Sequence, residues 1–113
     1  MRRDEESIID ILLAAERIEE YLCGVDFDLF AMQSEKQWAV LHQMMVLGEA
    51  AKRLSSEFRL AHPCIPWSGM EGMRNLLIHA YDEVDLKLVW EAVTEVLPSV
   101  VEFLRQLSPE QDE

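Results

Sequence analysis

One short stretch of the chain concentrates the residue types best suited to chemistry. Residues 73–85, MRNLLIHAYDEVD, place Arg74, Asn75, His79 and Tyr81 in a segment with the apolar content of a buried helix. Arginine is a permanent cation that suits phosphate, and histidine titrates near neutral pH. This combination of residues is typical of a site that acts on a phosphate ester.

The spacing within this stretch predicts a site shared between two chains. At about 100° per residue, Arg74 and His79 lie roughly 140° apart around a helix, so they do not share a face. Asn75 and His79 do share one, so Asn75 could fix the histidine tautomer or contact a ligand. Two copies of the helix packed around a twofold axis would line one cleft with two arginines and two histidines. We therefore expect a homodimer.

One reaction that such groups could support without a metal ion is RNA cleavage, provided that the neighbouring 2′-hydroxyl is the nucleophile. The 2′-hydroxyl attacks the phosphorus, and the enzyme must move two protons and stabilise the charge that develops. A histidine with an ordinary pKa of about 6.5 suits either proton transfer, and arginine donates to phosphoryl oxygens. The alternative is structural: Arg74 and His79 would cap the helix and pair with Asp82 or Glu83.

Composition limits the classes of function. The 113 residues carry a formal net charge of −12, which counts against a protein that coats nucleic acid. A local arginine cleft remains compatible, because charges more than about 8 Å away are screened in physiological salt. Net acidity also suits docking to a basic partner protein.

The chain shows no feature of membrane or secreted proteins. No apolar run approaches a membrane span, and acidic residues follow Met1-Arg2-Arg3, so we expect a cytoplasmic protein with no membrane partner. Cys23 and Cys64 lack metal-ligand spacing and are expected to be reduced and buried.

Apolar residues recur at three- and four-residue steps along most of the chain, which predicts an all-α, up-down bundle of four main helices. Residues 1–107 would form one domain, and residues 108–113 would be a frayed acidic tail. The expected elements are a first helix over 4–22, a short helical turn over 26–30, a long helix over 34–55, a helix from 66, and a last helix from 85.

Helix-ending residues support these boundaries. Gly24 is a plausible stop for the first helix, and Ser34 with Gln37 forms a capping box. Asp85 can cap the last helix, which Pro98 should kink or divide. Residues 58–66 are expected to form the main loop, with His62 in solvent.

The long helix over 34–55 has two apolar stripes, which places it either at the centre of the bundle or at a contact with a second chain. The stripes are Leu41, Met44, Gly48 and Ala51, and Trp38, Met45 and Leu47. Glu49 lies among small residues and needs a partner. It would pair with a structural arginine, or it would orient Arg74 or His79.

Several motifs surround the candidate stretch. They are IPW at 65–67, GMRN at 72–75, VD at 84–85, VW at 89–90 and GEAAKRL at 48–54. With the Arg-x4-His-x-Tyr pattern of Arg74, His79 and Tyr81, they resemble the HepT-like toxins of the HEPN superfamily. The resemblance extends from about Ile8 to Leu107.

The resemblance implies a HEPN-like fold and a dimeric RNA endonuclease that needs no metal or cofactor. It implies that Arg74 and His79 are catalytic. Asn75 and Glu49 remain candidate supporting residues because of their positions. The resemblance also implies a partner, a nucleotidyltransferase antitoxin of the MntA type, that attaches AMP to Tyr81. The added negative charge would repel RNA from the cleft. The alternative for Tyr81 is that its ring merely packs at the helix end. The alternative for the whole chain is a non-catalytic helical subunit that presents a substrate or nucleotide to a nucleotidyltransferase.

Overall fold

The computed structural model describes residues 2–67, 69–70 and 85–107, with Arg2 described by its backbone alone. Within these ranges the chain is helical and contains no strand, which confirms the all-α prediction. The elements are α1 (Arg2–Leu22), α2 (Phe27–Met32), α3 (Ser34–Arg53), α4 (Ser56–Ala61), α5 (Leu86–Glu91), a π-helical turn (Ala92–Val96) and α6 (Leu97–Leu107). Trp67, Gly69 and Met70 are also helical, as expected for a helix that starts at Pro66.

Helix α3 is the central helix of the described part of the chain. It packs chiefly against α1, whose Ile8, Ile11 and Ile18 are at most 2% exposed. The predicted stripe of Leu41, Met44, Gly48 and Ala51 is buried.

The second predicted stripe on α3 was partly wrong. Leu47 is 6% exposed, whereas Trp38 is 56% exposed and Met45 is half-buried. Nine residues separate Trp38 from Leu47, which places them roughly 180° apart on a helix. Trp38 and Met45 therefore share one side of α3, and Leu47 belongs to the core on the other.

Local residues end α1 and cap the starts of α2 and α5, and the roles of Gly24 and Asp85 were predicted. Gly24 adopts a positive φ of 75°, which glycine tolerates without a steric penalty. The Asp26 carboxylate accepts the Leu29 N–H at 2.9 Å, so this side chain caps α2. Asp85 accepts the N–H groups of Lys87 and Leu88 at 3.0 and 3.2 Å.

The predicted capping box at Ser34 is wrong. Gln33 occupies the N-cap position, and no side chain caps the first turn of α3. The amide of Gln37 donates instead to the carbonyls of Phe30 and Ala31, each at 3.0 Å. The tight junction between α2 and α3 supplies these acceptors, so Gln37 joins the two helices.

Helix α4 was not predicted, and most of it lies in the region expected to be one loop. Ser55 caps it by accepting the Phe58 N–H at 3.1 Å. The backbone N–H and the hydroxyl of Ser55 in turn donate to the two carboxylate oxygens of Asp4, each at 2.8 Å. A residue 51 positions away in the sequence thus holds the start of α4.

Replacing Asp4 by alanine is expected to destabilise the fold by about 1.5–3 kcal/mol, the usual range for hydrogen bonds to a charged group. Asp4 is 4% exposed, so its loss leaves the Ser55 donors without a protein acceptor. Urea denaturation measures the change. Glu5→Ala, which alters an exposed neighbour, should stay within about 0.5 kcal/mol of the parent. Equal effects would show that the Asp4 contact contributes no special stability.

The last helical stretch continues through Pro98 but changes its geometry before it. Proline has no N–H to give the carbonyl of Thr94. The N–H of the preceding residue, Leu97, reaches the carbonyl of Ala92, five residues back, which is the hydrogen-bond pattern of the π-helical turn. The helix is therefore continuous through Pro98, and the irregularity expected there is the π-helical turn over Ala92–Val96. The apolar stripe is buried as predicted, with Val89, Val93, Leu97, Val100 and Leu104 each at most 8% exposed.

The two cysteines are exposed thiols, which corrects the prediction that they are buried. Cys23 lies in the turn after α1 and Cys64 in the turn after α4, so neither is on a core-facing helix position. None of the helices in the described ranges has the length and apolar content to cross a membrane.

Candidate active site

The predicted site residues divide between described and undescribed parts of the chain. Arg74, Asn75, His79 and Tyr81 lie outside the described residues, so their roles and their distances stay predictions. Glu49 lies on α3, is half-buried and interacts with another group. Whether it pairs with a structural arginine or orients Arg74 or His79 also stays a prediction.

A buried tryptophan anchors the chain where it enters the candidate segment. Trp67 is 5% exposed, and its indole N–H donates to the carbonyl of His62 at 3.0 Å. The Phe58 ring meets the indole edge-on with centroids 5.8 Å apart. The Met70 N–H donates to the carbonyl of Pro66 at 3.0 Å, which forms the first turn of the helix. The candidate segment therefore begins from a point fixed to the core.

His62 contributes to this anchor and is not the solvated loop residue that was expected. Its ring is half-buried, with centroids 4.6 Å from Phe58 and 5.4 Å from Phe103. Phe103 belongs to α6, far along the chain, so no local pattern around His62 indicates this packing. The contact packs the turn after α4 against the last helix. It also positions the His62 carbonyl, which accepts the indole N–H of Trp67.

A second anchor fixes the chain where it leaves the candidate segment. Asp85 caps α5, and Val89 on that helix is 1% exposed. The Trp90 ring lies 5.5 Å from Phe30 and 6.0 Å from Phe27, measured between centroids. The described residues just before position 71 and just after position 84 thus belong to aromatic clusters of the core.

In the residues described, no three His, Cys, Asp or Glu side chains are grouped so that they could hold a metal ion.

Comparison with known proteins identifies the family. The sequence model of the ribonuclease HepT-like family matches residues 11–107. The chain therefore belongs to the ribonuclease HepT-like family, a family of enzymes, as the motifs around Arg74, His79 and Tyr81 predicted.

Individual relatives agree with this assignment. A protein of Thermococcus cleftensis named "Probable ribonuclease HepT" is 38% identical over 99 residues, which cover 88% of this chain and 90% of the relative. A protein of Methanocaldococcus jannaschii named "Putative RNase" is 33% identical over 100 residues, covering 88% and 92%. A "Putative RNase" of Caldanaerobacter subterraneus subsp. tengcongensis is 31% identical over 97 residues, covering 86% and 87%. No solved structure matches the chain at a significant level.

Proposed function

We propose that this chain is a metal-independent RNA endonuclease and the toxin of a type VII-like toxin–antitoxin system. The observation that carries the proposal is the family match over residues 11–107, which includes Arg74, His79 and Tyr81 in the Arg-x4-His-x-Tyr pattern. The relatives named as ribonucleases support the same activity. The protein would act in the cytoplasm.

In this proposal the reaction proceeds by attack of a neighbouring 2′-hydroxyl. One histidine removes the hydroxyl proton while the oxygen bonds to phosphorus. The bond from phosphorus to the 5′-oxygen breaks, and a second histidine protonates that oxygen. The products are a 2′,3′-cyclic phosphate and a 5′-hydroxyl. Arg74 stabilises the phosphoryl oxygens throughout, and Asn75 and Glu49 support the orientation of the reacting side chains.

The two proton transfers are best served by a homodimer. A twofold axis near the candidate helix would bring His79 and Arg74 of both chains to one cleft. Trp38 and Met45 support such an arrangement, because they share one side of α3 and Trp38 is 56% exposed. A dimer contact there would bury further apolar surface.

We also propose that a nucleotidyltransferase antitoxin of the MntA type controls the enzyme by transferring AMP to the hydroxyl of Tyr81. Tyr81 is two residues from His79, so each added nucleotide would place negative charge and bulk next to the reacting groups. RNA would then be excluded by charge and by size.

The purified protein is expected to cleave RNA in the presence of EDTA and to leave 2′,3′-cyclic phosphate ends. The 2′-hydroxyl route needs no metal ion, and it forms the cyclic product before any hydrolysis. Gel assays of a labelled RNA and mass spectrometry of its fragments measure both results. Strict dependence on magnesium, with 3′-hydroxyl products, would contradict the mechanism.

A second candidate function is a non-catalytic helical subunit that presents a substrate or nucleotide to a nucleotidyltransferase. The observation that favours it is the net charge of −12, which opposes RNA binding at long range. The same cleavage assay separates the two functions, since this subunit would leave RNA intact while still binding its partner enzyme.

A further inference from the structure

A largely apolar groove lies between α3, the helix start at 66–70, and the helical stretch from α5 to α6. Its volume is about 400 Å³. Met44 of α3 lines it and is 5% exposed, and Met70 lines it and is half-buried. Leu88 and Val96 also line it and are 45% and 48% exposed, so the opposite wall of the groove is open to solvent. Methionine side chains adapt to different apolar shapes, which is a property of surfaces that bind peptides.

Two carboxylates are the charged groups of this groove. Glu91, at the end of α5, and Glu95, in the π-helical turn, both line it and are both exposed. In the part of the chain that the structure describes, neither forms a salt bridge. Lys87, the nearest basic residue in sequence, instead lies over the Phe27 ring at 6.0 Å, on the side of α2. Among the described residues, the groove is therefore lined by apolar surface and two carboxylates, with no arginine or lysine.

The backbone of the groove wall that carries Glu91 and Glu95 departs from regular α-helical geometry. The π-helical turn over Ala92–Val96 supplies several of the lining residues, Glu95 and Val96 among them. Isolated π turns are uncommon and occur frequently at functional sites. The turn that accommodates Pro98 therefore also shapes this wall of the groove.

We propose that this groove binds a basic amphipathic helix of another protein. Apolar side chains one turn apart on that helix would insert over Met44 and Met70, and arginine or lysine would pair with Glu91 and Glu95. This is the helix-in-groove mode, in which apolar anchors give affinity and rim charges select the partner. The inference does not depend on RNA cleavage.

The two carboxylates of the groove favour a basic helix as its ligand over nucleic acid or a second copy of the chain. Nucleic acid would place phosphates against two carboxylates and an apolar wall that offers no donors. A second copy of the chain has 10 basic residues against 22 acidic ones, so few of its surfaces offer the arginine or lysine that would pair with Glu91 and Glu95. A basic amphipathic helix matches both features, because its apolar side chains cover the groove and its basic side chains pair with Glu91 and Glu95.

The test uses the full-length protein and a synthetic helical peptide that has leucines one turn apart and arginines on the flanking positions. We expect the peptide to bind, and we expect Glu91→Lys/Glu95→Lys to weaken binding by about tenfold or more, since each lost pair changes a favourable contact into a repulsive one. The matched control is Glu57→Lys/Glu102→Lys, which makes the same change in net charge at exposed positions outside the groove. It should bind like the parent. A peptide with glutamate in place of arginine should not bind.

Methyl resonances locate the binding site independently. With ¹³C-labelled methionine methyls, the signals of Met44 and Met70 should move on addition of the peptide, and that of Met32, which is 82% exposed and outside the groove, should not. Val96→Glu should abolish the shifts.

Three results would overturn the proposal. The first is failure of the arginine peptide to bind at millimolar concentration, as expected if residues 71–84 of the same chain fill the groove. The second is equal weakening by the two double variants. The third is a dependence of the Met44 and Met70 signals on protein concentration that Val96→Glu removes, which would assign the groove to a second copy of the chain.

Discussion

Replacing His79 by alanine is expected to lower the rate of RNA cleavage by about 10²–10⁴-fold, which is the usual loss when a general acid or base is removed. Arg74→Ala should have a comparable effect, because the charge on the phosphoryl oxygens then lacks its cation. Both variants should keep the helical circular dichroism spectrum of the parent. Cleavage is measured with purified protein and a labelled RNA in EDTA.

The chain offers a matched control for His79. His42 is exposed on α3 and belongs to neither the candidate segment nor its two anchors, so His42→Ala should cleave RNA like the parent. Full activity in His79→Ala would remove this residue from the mechanism. An equal loss in both variants would point to a general effect of removing histidine.

A mixture of the parent and His79→Ala tests whether the site is shared between chains. A dimer of one parent chain and one variant chain retains one of the two histidines that the proposed mechanism uses. If one cleft needs the histidines of both chains, an excess of His79→Ala lowers the activity of the parent well below its value alone, because the mixed dimers are inactive. Sedimentation at micromolar concentration should show the dimer. A strict monomer that still cleaves RNA would contradict the shared site.

Replacing Tyr81 by phenylalanine is expected to abolish modification while keeping much of the nuclease activity. The hydroxyl takes no part in either proton transfer of the proposed mechanism, but it is the proposed acceptor for AMP. With the partner nucleotidyltransferase and ATP, the parent should gain mass in steps of one AMP and stop cleaving RNA. The Tyr81→Phe variant should do neither, as followed by intact-protein mass spectrometry and the cleavage assay.

The control is the other tyrosine of the chain. Tyr21 is half-buried on α1, and Tyr21→Phe should still accept AMP and lose activity. In cells, co-expression of the partner should protect against the parent and leave Tyr81→Phe toxic. If the partner silences both proteins equally, it inhibits by binding and Tyr81 is not the control point.

Local features of the sequence were sufficient to predict most of the helices. Apolar residues at three- and four-residue steps predicted α1, α3 and the buried stripe from Val89 to Leu104, because the spacing is a property of the helix itself. Gly24, Asp26 and Asp85 act on backbone groups within a few residues, so their capping roles could be read without the fold. The motifs around residues 73–85 likewise predicted the family to which the chain belongs.

The tertiary structure decided the features that join distant parts of the chain. Asp4 lies in the first turn of α1, yet it holds Ser55 and the start of α4 across 51 positions. His62 is packed because Phe103 returns to it on the last helix. The groove with Glu91 and Glu95 exists because three separate segments meet around it. Periodicity and capping report interactions within a few residues, whereas each of these features depends on which helices pack together, and only the folded chain brings those residues into contact.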